Sequence, residues 1–455
     1  MGQTVSEQLA AFAAGLKYEQ LPSDVVRIAK ERILDILAVV IGGSREGDIS
    51  RQLVEQVQTF GGDQATVLGS GTRTLACFAA WCNAAFAHGL EMDDGHKFAG
   101  VHAGCVVIPA ALAIAEQTKP DGKAFIEAVV AGYDVIYRLA ANITPSHLKK
   151  GFHPSGNTGV YGAAAAAGKL LGLDADQMSR AFGLAGQQSA GLMEIVHSGQ
   201  TCKGLVPGHA ALVGVLSALL AKRGLKGGET ILDGKDGFFF AMAKDVDLNS
   251  VTEDLGKTYL ITDTYTKLYP TCRHMHQPVE NLFAIMEENK LDYHDIKSIL
   301  CRVSSIAKAL SGNIVNPRNA SEARFSMATA CALACKYGDV SLSLLSGPAL
   351  NDPEIIALAQ KVTVVADAEV ESYLPKVRVA IVEMETNDGA RYSKFGTVMR
   401  GTPDMPVDYA ALANKFRGCA AGTLSEENIA RVIDLVSRTE ELESLDELIG
   451  CLSVG

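Results

Sequence analysis

The sequence has few of the features that mark secreted, membrane or nucleic-acid-binding proteins. Only 6% of its 455 residues are aromatic, and one is tryptophan. No block of Lys or Arg offsets a formal net charge of -11 at pH 7, so the overall field repels nucleic acid and anionic membranes. We see no apolar run long enough for a membrane helix and no basic or apolar region of a secretory signal, and we therefore expect neither nucleic-acid nor membrane partners.

The ten cysteines also lack a pattern. They lie in apolar segments without the paired spacing of a zinc site or a disulfide scaffold. We therefore expect reduced core cysteines in a cytoplasmic protein. With 48% hydrophobic and 20% charged residues, the composition is that of a globular protein, and the length predicts two or three domains.

An alternating strand pattern is missing before about residue 290. Apolar positions recur instead at helical spacing, as in the helix that Pro22-Ser23-Asp24 opens and Gly42-Gly43 ends. We expect residues 1–266 to form an all-α domain in which abundant Ala and Gly allow close helix contacts. Its further predicted helices cover residues 75–90, 106–116, 124–141, 174–188 and 209–223.

The pattern changes in residues 267–400, for which we predict an α+β domain. The hairpin signal Asn387-Asp388-Gly389 joins the last two predicted strands. Residues 401–455 return to short helices at 409–416 and 426–437, which are too small to fold alone and are expected to dock on the first domain. The predicted strands are 296–306, 362–365, 376–385 and 392–398, and the predicted helices between them are 278–288 and 321–336.

The stretch 151–159 is broken by Pro154 and three glycines and brings His153 to the start of an Ala-rich helix. The alanine run 163–167 predicts a thin helix that is packed on all sides and therefore central. Its first turn suits an anionic ligand. Because His153 lies in a loop, we expect its truncation to remove little packing. The alternative is a structural loop in which His153 only caps the helix.

A second stretch, 91–104, places carboxylates and histidines in a Gly-broken loop between two apolar helices. Residues of this kind, positioned by rigid helices, are suited to acid–base chemistry. Two alternatives remain open. Asp93, Asp94, His96 and His102 are candidate metal ligands, although their spacing matches no common site. Asp93 or Asp94 is also a candidate cap for the following helix.

Two further segments carry candidate site residues. Lys203, in a small-residue loop before a helix, is placed to hold a substrate carboxylate, and its alternative is an ordinary surface lysine. Cys272, His274 and His276 form a candidate metal cluster, but they lie too close in sequence without a fourth ligand. Arg273 as an anion clamp and His276 as an acid or base is the better interpretation.

These segments together resemble the MmgE/PrpD family along the whole chain. No single motif suffices, but their order and spacing are specific. The markers are Asp93-Asp94 ahead of His102 and the apolar Val107-x-Pro109-Ala110 helix, Gly151-Phe152-His153-Pro154, Lys203 ahead of Gly208-x-Ala210-Ala211, Tyr269-Pro270-x-Cys272 with His276, Arg324-Phe325-Ser326, and Arg400-Gly401-Thr402-Pro403.

The resemblance implies a mainly α protein, with a large helical domain built from residues 1–266 and 401–455 and a smaller α+β lid inserted between them. It also implies a homodimer, a site in the cleft, small di- or tricarboxylate substrates, no redox cofactor and generally no metal. Glu91, Gly95 and Thr329 replace an Asp, a Thr and a Tyr, which leaves the substrate open. By position, the site residues of the family fall on Glu91, Gly95, His102, His153, Lys203, His276 and Thr329.

We predict a cofactor-independent lyase, by preference a hydro-lyase, that removes a proton next to a carboxylate. That proton is weakly acidic, so its removal needs a base and nearby cations. An epimerase or isomerase, a decarboxylase, or a non-catalytic binding or scaffold homologue are the alternatives. The predicted catalytic residues are His102, His153, Lys203, His276 and Asp93. The predicted substrate-binding residues are Glu91, Asp94, His96, Arg273 and Thr329, and no metal ligand is predicted.

Overall fold

The computed structural model describes residues 2–197, 201–244, 246–374 and 377–453. Contacts divide the chain into two units. The first contains Met1–Ile195, Thr201–Thr266 and Val407–Gly455, and the second contains Val196–Gln200 and Lys267–Pro406. The chain is mainly α with a small β part, which confirms the predicted fold class.

Helices dominate the chain up to residue 266, and the predicted helices are all present. They are α1 Val5–Gly15, α2 Ser23–Gly43, α3 Gly47–Phe60, α4 Ala76–Gly89, α5 Gly104–Thr118, α6 Gly122–Ile143, α7 Ser146–Lys149, α8 Pro154–Asn157, α9 Gly159–Leu170, α10 Ala175–Gly186, α11 Glu194–His197, α12 Leu205–Lys222, α13 Phe238–Met242 and α14 Leu248–Thr252.

The expectation that this part is purely helical was wrong in one detail. Two antiparallel ribbons lie in it, β1 (Ala65–Val67) with β2 (Thr72–Thr74) and β3 (Gly95–His96) with β4 (Thr264–Tyr265). Each strand has two or three residues, which is too short to show an alternating pattern.

Helix α9 is the centre of the first unit, as its composition predicts. It packs against α1, α5, α6, α10 and α12, and every residue from Gly159 to Gly168 is buried. The small side chains permit close approach. A Cβ added to Gly214 of α12 would lie 2.3 Å from the Cβ of Ala163, so only glycine fits at this crossing.

One helix passes the length and composition test for a membrane span, which the sequence analysis did not anticipate. The segment is Cys202–Lys222, and 61% of its tested window is buried inside the structure. It contains α12, which packs against α4, α5, α9 and α10. A helix that is surrounded by other helices in a core is also apolar on all sides, so it passes this test without a membrane.

The second unit contains a four-stranded sheet with the order β6-β5-β7-β8, in which only β5 and β6 are parallel. The predicted strands are present, although the start of the third at Lys376 lies outside the described residues. The elements are α15 His276–Asn289, β5 Ile296–Val303, α16 Ser305–Ser311, α17 Ala320–Ala323, α18 Met327–Tyr337, α19 Leu342–Ser346, α20 Pro353–Ala359, β6 Val362–Ala366, α21 Ala368–Ser372, β7 Ala380–Thr386 and β8 Arg391–Gly396.

The single helix predicted at 321–336 is divided into α17 and α18. Residues 324–326 separate them, and the hydroxyl of Ser326 accepts a hydrogen bond from the Thr329 amide, which caps α18.

The chain returns to the first unit in α22 (Tyr409–Ala420), α23 (Glu426–Ser437) and α24 (Asp446–Cys451). Helix α22 packs along α2. The buried ammonium of Lys415 donates to Asp35 Oδ1 at 2.5 Å and to the Met92 carbonyl at 2.6 Å. Helix α22 therefore binds directly to the loop that follows α4.

Candidate active site

The loop between α4 and α5 is held at Asp94, a fully buried carboxylate. Its Oδ1 accepts from the Gly104 amide at the first residue of α5 (3.1 Å), and its Oδ2 accepts from the Tyr133 hydroxyl (2.5 Å). Burial raises the pKa of Asp94 to about 7, against the lowering effect of Arg32. Asp94 therefore satisfies the first amide of α5, although the N-cap residue itself is Ala103, and it ties the loop to the start of that helix.

His102 is oriented by this loop. Its Nδ1 lies 2.5 Å from the carbonyl oxygen of Asp94, and a carbonyl can only accept, so Nδ1 carries the proton. In the neutral ring Nε2 then bears the lone pair. The His102 amide donates to Ser155 Oγ at 3.0 Å, which ties the loop to α8. His102 is therefore held in the tautomer that presents a base nitrogen.

His153 stands at the start of α8 but is not exposed. Only 4% of it is accessible, and its amide donates to the Gly191 carbonyl. The expectation that truncation removes little packing was therefore wrong, because the segment around Gly191 covers the loop. Burial, and then the charges of His88, Lys203 and His102, hold the pKa of His153 well below 6.5. The ring is therefore neutral at physiological pH.

His88, at the end of α4, is a site residue that the sequence analysis missed. It is fully buried, and its Nδ1 donates to Asp93 Oδ2 at 2.7 Å. Its ring lies 5.1 Å from the ring of His102 and 5.5 Å from that of His153, measured between centroids. The sequence feature that could have identified His88 is its position five residues before Asp93, just outside the stretch 91–104.

Asp93 joins two of these imidazoles. Its Oδ2 is 2.7 Å from His88 Nδ1 and 3.4 Å from His102 Nδ1. A carboxylate at this distance stabilises an imidazolium if either ring takes up a proton. His88, His102, His153 and Asp93 therefore form one cluster, which we call the imidazole cluster. His88, His153 and Asp93 are buried, and the His102 side chain is 15% exposed.

Lys203 is paired with Glu91 rather than lying free on the surface. Its Nζ donates to Glu91 Oε1, and the exposed side-chain fractions are 13% and 6%. Lys203 belongs to a 3₁₀ turn, Thr201–Gly204, immediately before α12. Glu91 has a left-handed backbone (φ 55°), which is uncommon for a residue other than glycine. A carboxylate ligand would have to share or replace Glu91 as the partner of this ammonium.

His96 has a different hydrogen-bonding role. Its Nδ1 accepts from the amides of Phe98 and Ala99, and its ring packs edge-on against Tyr137 with centroids 4.6 Å apart. The Nδ1 lone pair of His96 is thus occupied by hydrogen bonds within a turn. This geometry places His96 in the scaffold of the loop, so its predicted role in substrate binding has no support from these contacts.

The described residues contain one group with metal-ligand spacing, and it is not a predicted one. The ligand atoms of His88, Asp93 and Cys105 lie within 4.8 Å of one another. Burial, and then Asp93 and Asp94, raise the pKa of the Cys105 thiol well above 9. Zinc and related ions bind the thiolate, so an ion at this position would have to displace the proton of Cys105.

In the second unit, Arg273 and His276 are partners. The guanidinium can only donate, and its NH1 donates to His276 Nδ1 at 3.0 Å, which leaves the proton of the neutral ring on Nε2. Thr329 is buried, and its hydroxyl donates to the Val315 carbonyl and accepts from Ser326. The Thr329 hydroxyl is therefore engaged within its own unit.

Comparison with known proteins identifies related chains over nearly the full length. The family models described as MmgE/PrpD N-terminal domain and MmgE/PrpD C-terminal domain match residues 7–250 and 269–440. A cis-aconitate decarboxylase of Aspergillus terreus is 28% identical over 473 residues, covering 98% of this chain and 96% of the relative. Cis-aconitate decarboxylases of Mus musculus and Homo sapiens are each 26% identical and cover 98% of this chain, and 93% and 94% of their own.

Proposed function

The chain belongs to the MmgE/PrpD family, and on that premise we propose that it is a lyase acting on a small di- or tricarboxylate by proton transfer next to a carboxylate. The observation that carries the proposal is the imidazole cluster. Two of its rings share one carboxylate, and a third is kept neutral by burial. The similarity to cis-aconitate decarboxylases supports the same reaction class.

The cluster contains one group suited to accept a proton and another suited to donate one. The lone pair on His102 Nε2 accepts a proton, and Asp93 at 3.4 Å from the other ring nitrogen stabilises the resulting charge. His153 resists protonation, so once protonated it is a strong acid. Lys203 offers an ammonium to a substrate carboxylate and to the negative charge that develops on it.

Decarboxylation is the first reaction to test, because the relatives named above are decarboxylases. The bond between carbon and one carboxylate breaks, carbon dioxide leaves, and the electron pair passes into the neighbouring carboxylate. A protonated imidazole then delivers a proton to the carbon. This step needs an acid and a cation, and the site offers both.

Dehydration, the reaction preferred from sequence, is the second candidate. A neutral imidazole removes the proton next to the carboxylate, and the hydroxyl on the adjacent carbon leaves as water with a proton from an acid. The neutral state of His153 favours this alternative. Under either reaction we propose a cytoplasmic homodimer that works without a cofactor, a nucleic acid or a membrane.

The test is incubation of the purified protein with cis-aconitate, citrate, 2-methylcitrate and simple dicarboxylates in deuterated water, followed by NMR. Carbon dioxide release identifies a decarboxylase, a new alkene formed with loss of water identifies a hydro-lyase, and an isomer or deuterium label formed without either loss identifies an epimerase or isomerase. The controls are His153→Asn, which we expect to be inactive, and His294→Gln, whose side chain is 67% exposed. If no acid reacts or exchanges beyond the rate of the His153 variant, the chain is a non-catalytic homologue and the proposal fails.

A further inference from the structure

A cavity within the second unit is lined by three basic side chains, Arg273, His274 and Arg378. No Asp or Glu is among the described residues that line it, and much of the remaining wall is apolar, including Val303, Val379 and Met399. About 20 Å³ is open to the centre of a water molecule, which is room for one or two waters. The cavity is therefore small, and the charged side chains among the described residues of its wall are all basic.

Arg378 is unusual in its unit. Within the part of the chain that the structure describes, it makes neither a hydrogen bond nor an ion pair. Arg302, by contrast, pairs with Asp367, Glu369 and Glu383. A half-buried guanidinium without a counter-charge is poorly solvated, and a neighbouring guanidinium adds repulsion.

The neighbouring histidine responds to the same field. Burial, and then the charges of Arg378, Arg273 and Lys267, lower the pKa of His274 to about 3. Burial is the largest cause of this shift and the nearby cations add to it, which indicates a positive potential that no carboxylate among the described residues of the cavity wall cancels. An anion in the cavity would relieve this potential for all three side chains.

We propose that this cavity binds a compact anion, one carboxylate group in size, between Arg273 and Arg378. Guanidinium groups form charge-assisted hydrogen bonds with carboxylates, and the volume excludes a whole tricarboxylate. The group comes either from a small free acid or from one arm of a polycarboxylate. Because Arg273 also donates to His276 Nδ1, occupancy would act on the orientation of that ring.

The test measures thermal unfolding in sodium acetate, sodium phosphate and sodium citrate at matched ionic strength, in otherwise anion-poor buffer. For the wild type we expect Tm to rise by about 2–4 °C once an anion exceeds its Kd several-fold. Arg378→Gln should lose this rise. Arg391→Gln should keep it, since Arg391 is 80% exposed on the same sheet.

Arg378→Gln should still fold, because Arg378 has no partner among the described residues, and its Tm without anions should equal or exceed that of the wild type. A stronger Arg378-dependent effect of citrate assigns the group to a polycarboxylate, and equal effects of acetate assign it to a free acid. The proposal is overturned if no anion stabilises the wild type, or if Arg378→Gln and Arg391→Gln respond alike. Since no turnover is measured, this result is independent of the proposed reaction.

Discussion

Replacing His153 by Ala tests the imidazole cluster most directly. A general acid–base group contributes about 10²- to 10⁴-fold in rate, or roughly 3–5 kcal/mol of barrier. We expect kcat to fall by that factor on the substrate that the acid panel identifies. The kcat of His153→Asn should fall equally, because the asparagine side-chain amide does not titrate near neutral pH.

The stability change follows from the burial of His153. Truncating a buried side chain costs about 2–5 kcal/mol. The His153 Nδ1 has no partner within the described residues, and removal of an unsatisfied buried group returns about 1–3 kcal/mol. We therefore expect a modest drop in Tm, about 1–2 °C for each kcal/mol lost in a unit of this size. The Tm alone cannot distinguish a structural from a catalytic residue, so kcat has to be measured on folded protein.

The pH dependence of stability tests whether the His153 ring is neutral in the folded protein. The folded pKa of His153 lies below the unfolded value of 6.5, so the unfolded chain binds more protons in acid. The contribution of this residue to stability is constant above pH 6.5 and is lost as pH falls through that value, by up to about 1.4 kcal/mol per pH unit. His153→Ala should lose stability less steeply between pH 6.5 and 5. Equal slopes, or a kcat near that of the wild type, would refute the assignment.

Four further outcomes are expected. Lys203→Met should raise KM at least as much as it lowers kcat, because it removes a carboxylate-binding ammonium; an unchanged KM would contradict that role. His88→Asn should lower kcat and shift the pH profile while KM stays near that of the wild type, and a variant with lower Tm but wild-type profile would make His88 purely structural. Lys415→Met should destabilise the protein by about 2–3 kcal/mol in denaturant unfolding, because Asp35 Oδ1 and the Met92 carbonyl lose their charged donor while Arg32 stays 3.6 Å from Asp35 Oδ2. Activity should survive exhaustive chelation, and loss that zinc or iron restores would disprove this.

The sequence was most informative where a pattern extends over several turns. Helices α4 and α12 and strands β5 to β8 follow from periodicity, and the central position of α9 follows from its alanines. Two- and three-residue strands such as β3 contain no period to detect. Sequence-based boundaries were also approximate, as the division at residues 324–326 illustrates.

The candidate site shows a different limit. Loop residues near Asp93 could be selected by type, but their burial depends on segments distant in sequence. His153 is covered by the segment near Gly191. Lys203 pairs with Glu91, which lies 112 residues earlier in the chain. His88 was overlooked because it ends a helix and the loop was taken to begin at Glu91. Such contacts arise from tertiary packing, which local patterns do not encode.

The contact of Lys415 with Asp35 and the Met92 carbonyl has a consequence for synthesis on the ribosome. Asp35 and Met92 emerge more than 300 residues before their partner, since the sequence separations are 380 and 323. Residues 267–406 belong to the second unit and leave the exit tunnel before α22 does. In a nascent chain that ends before α22, Asp35 therefore has Arg32 at 3.6 Å but lacks Lys415, and the loop bearing Asp93 lacks its contact at the Met92 carbonyl. A stalled or prematurely terminated product would be a ready substrate for quality-control proteases.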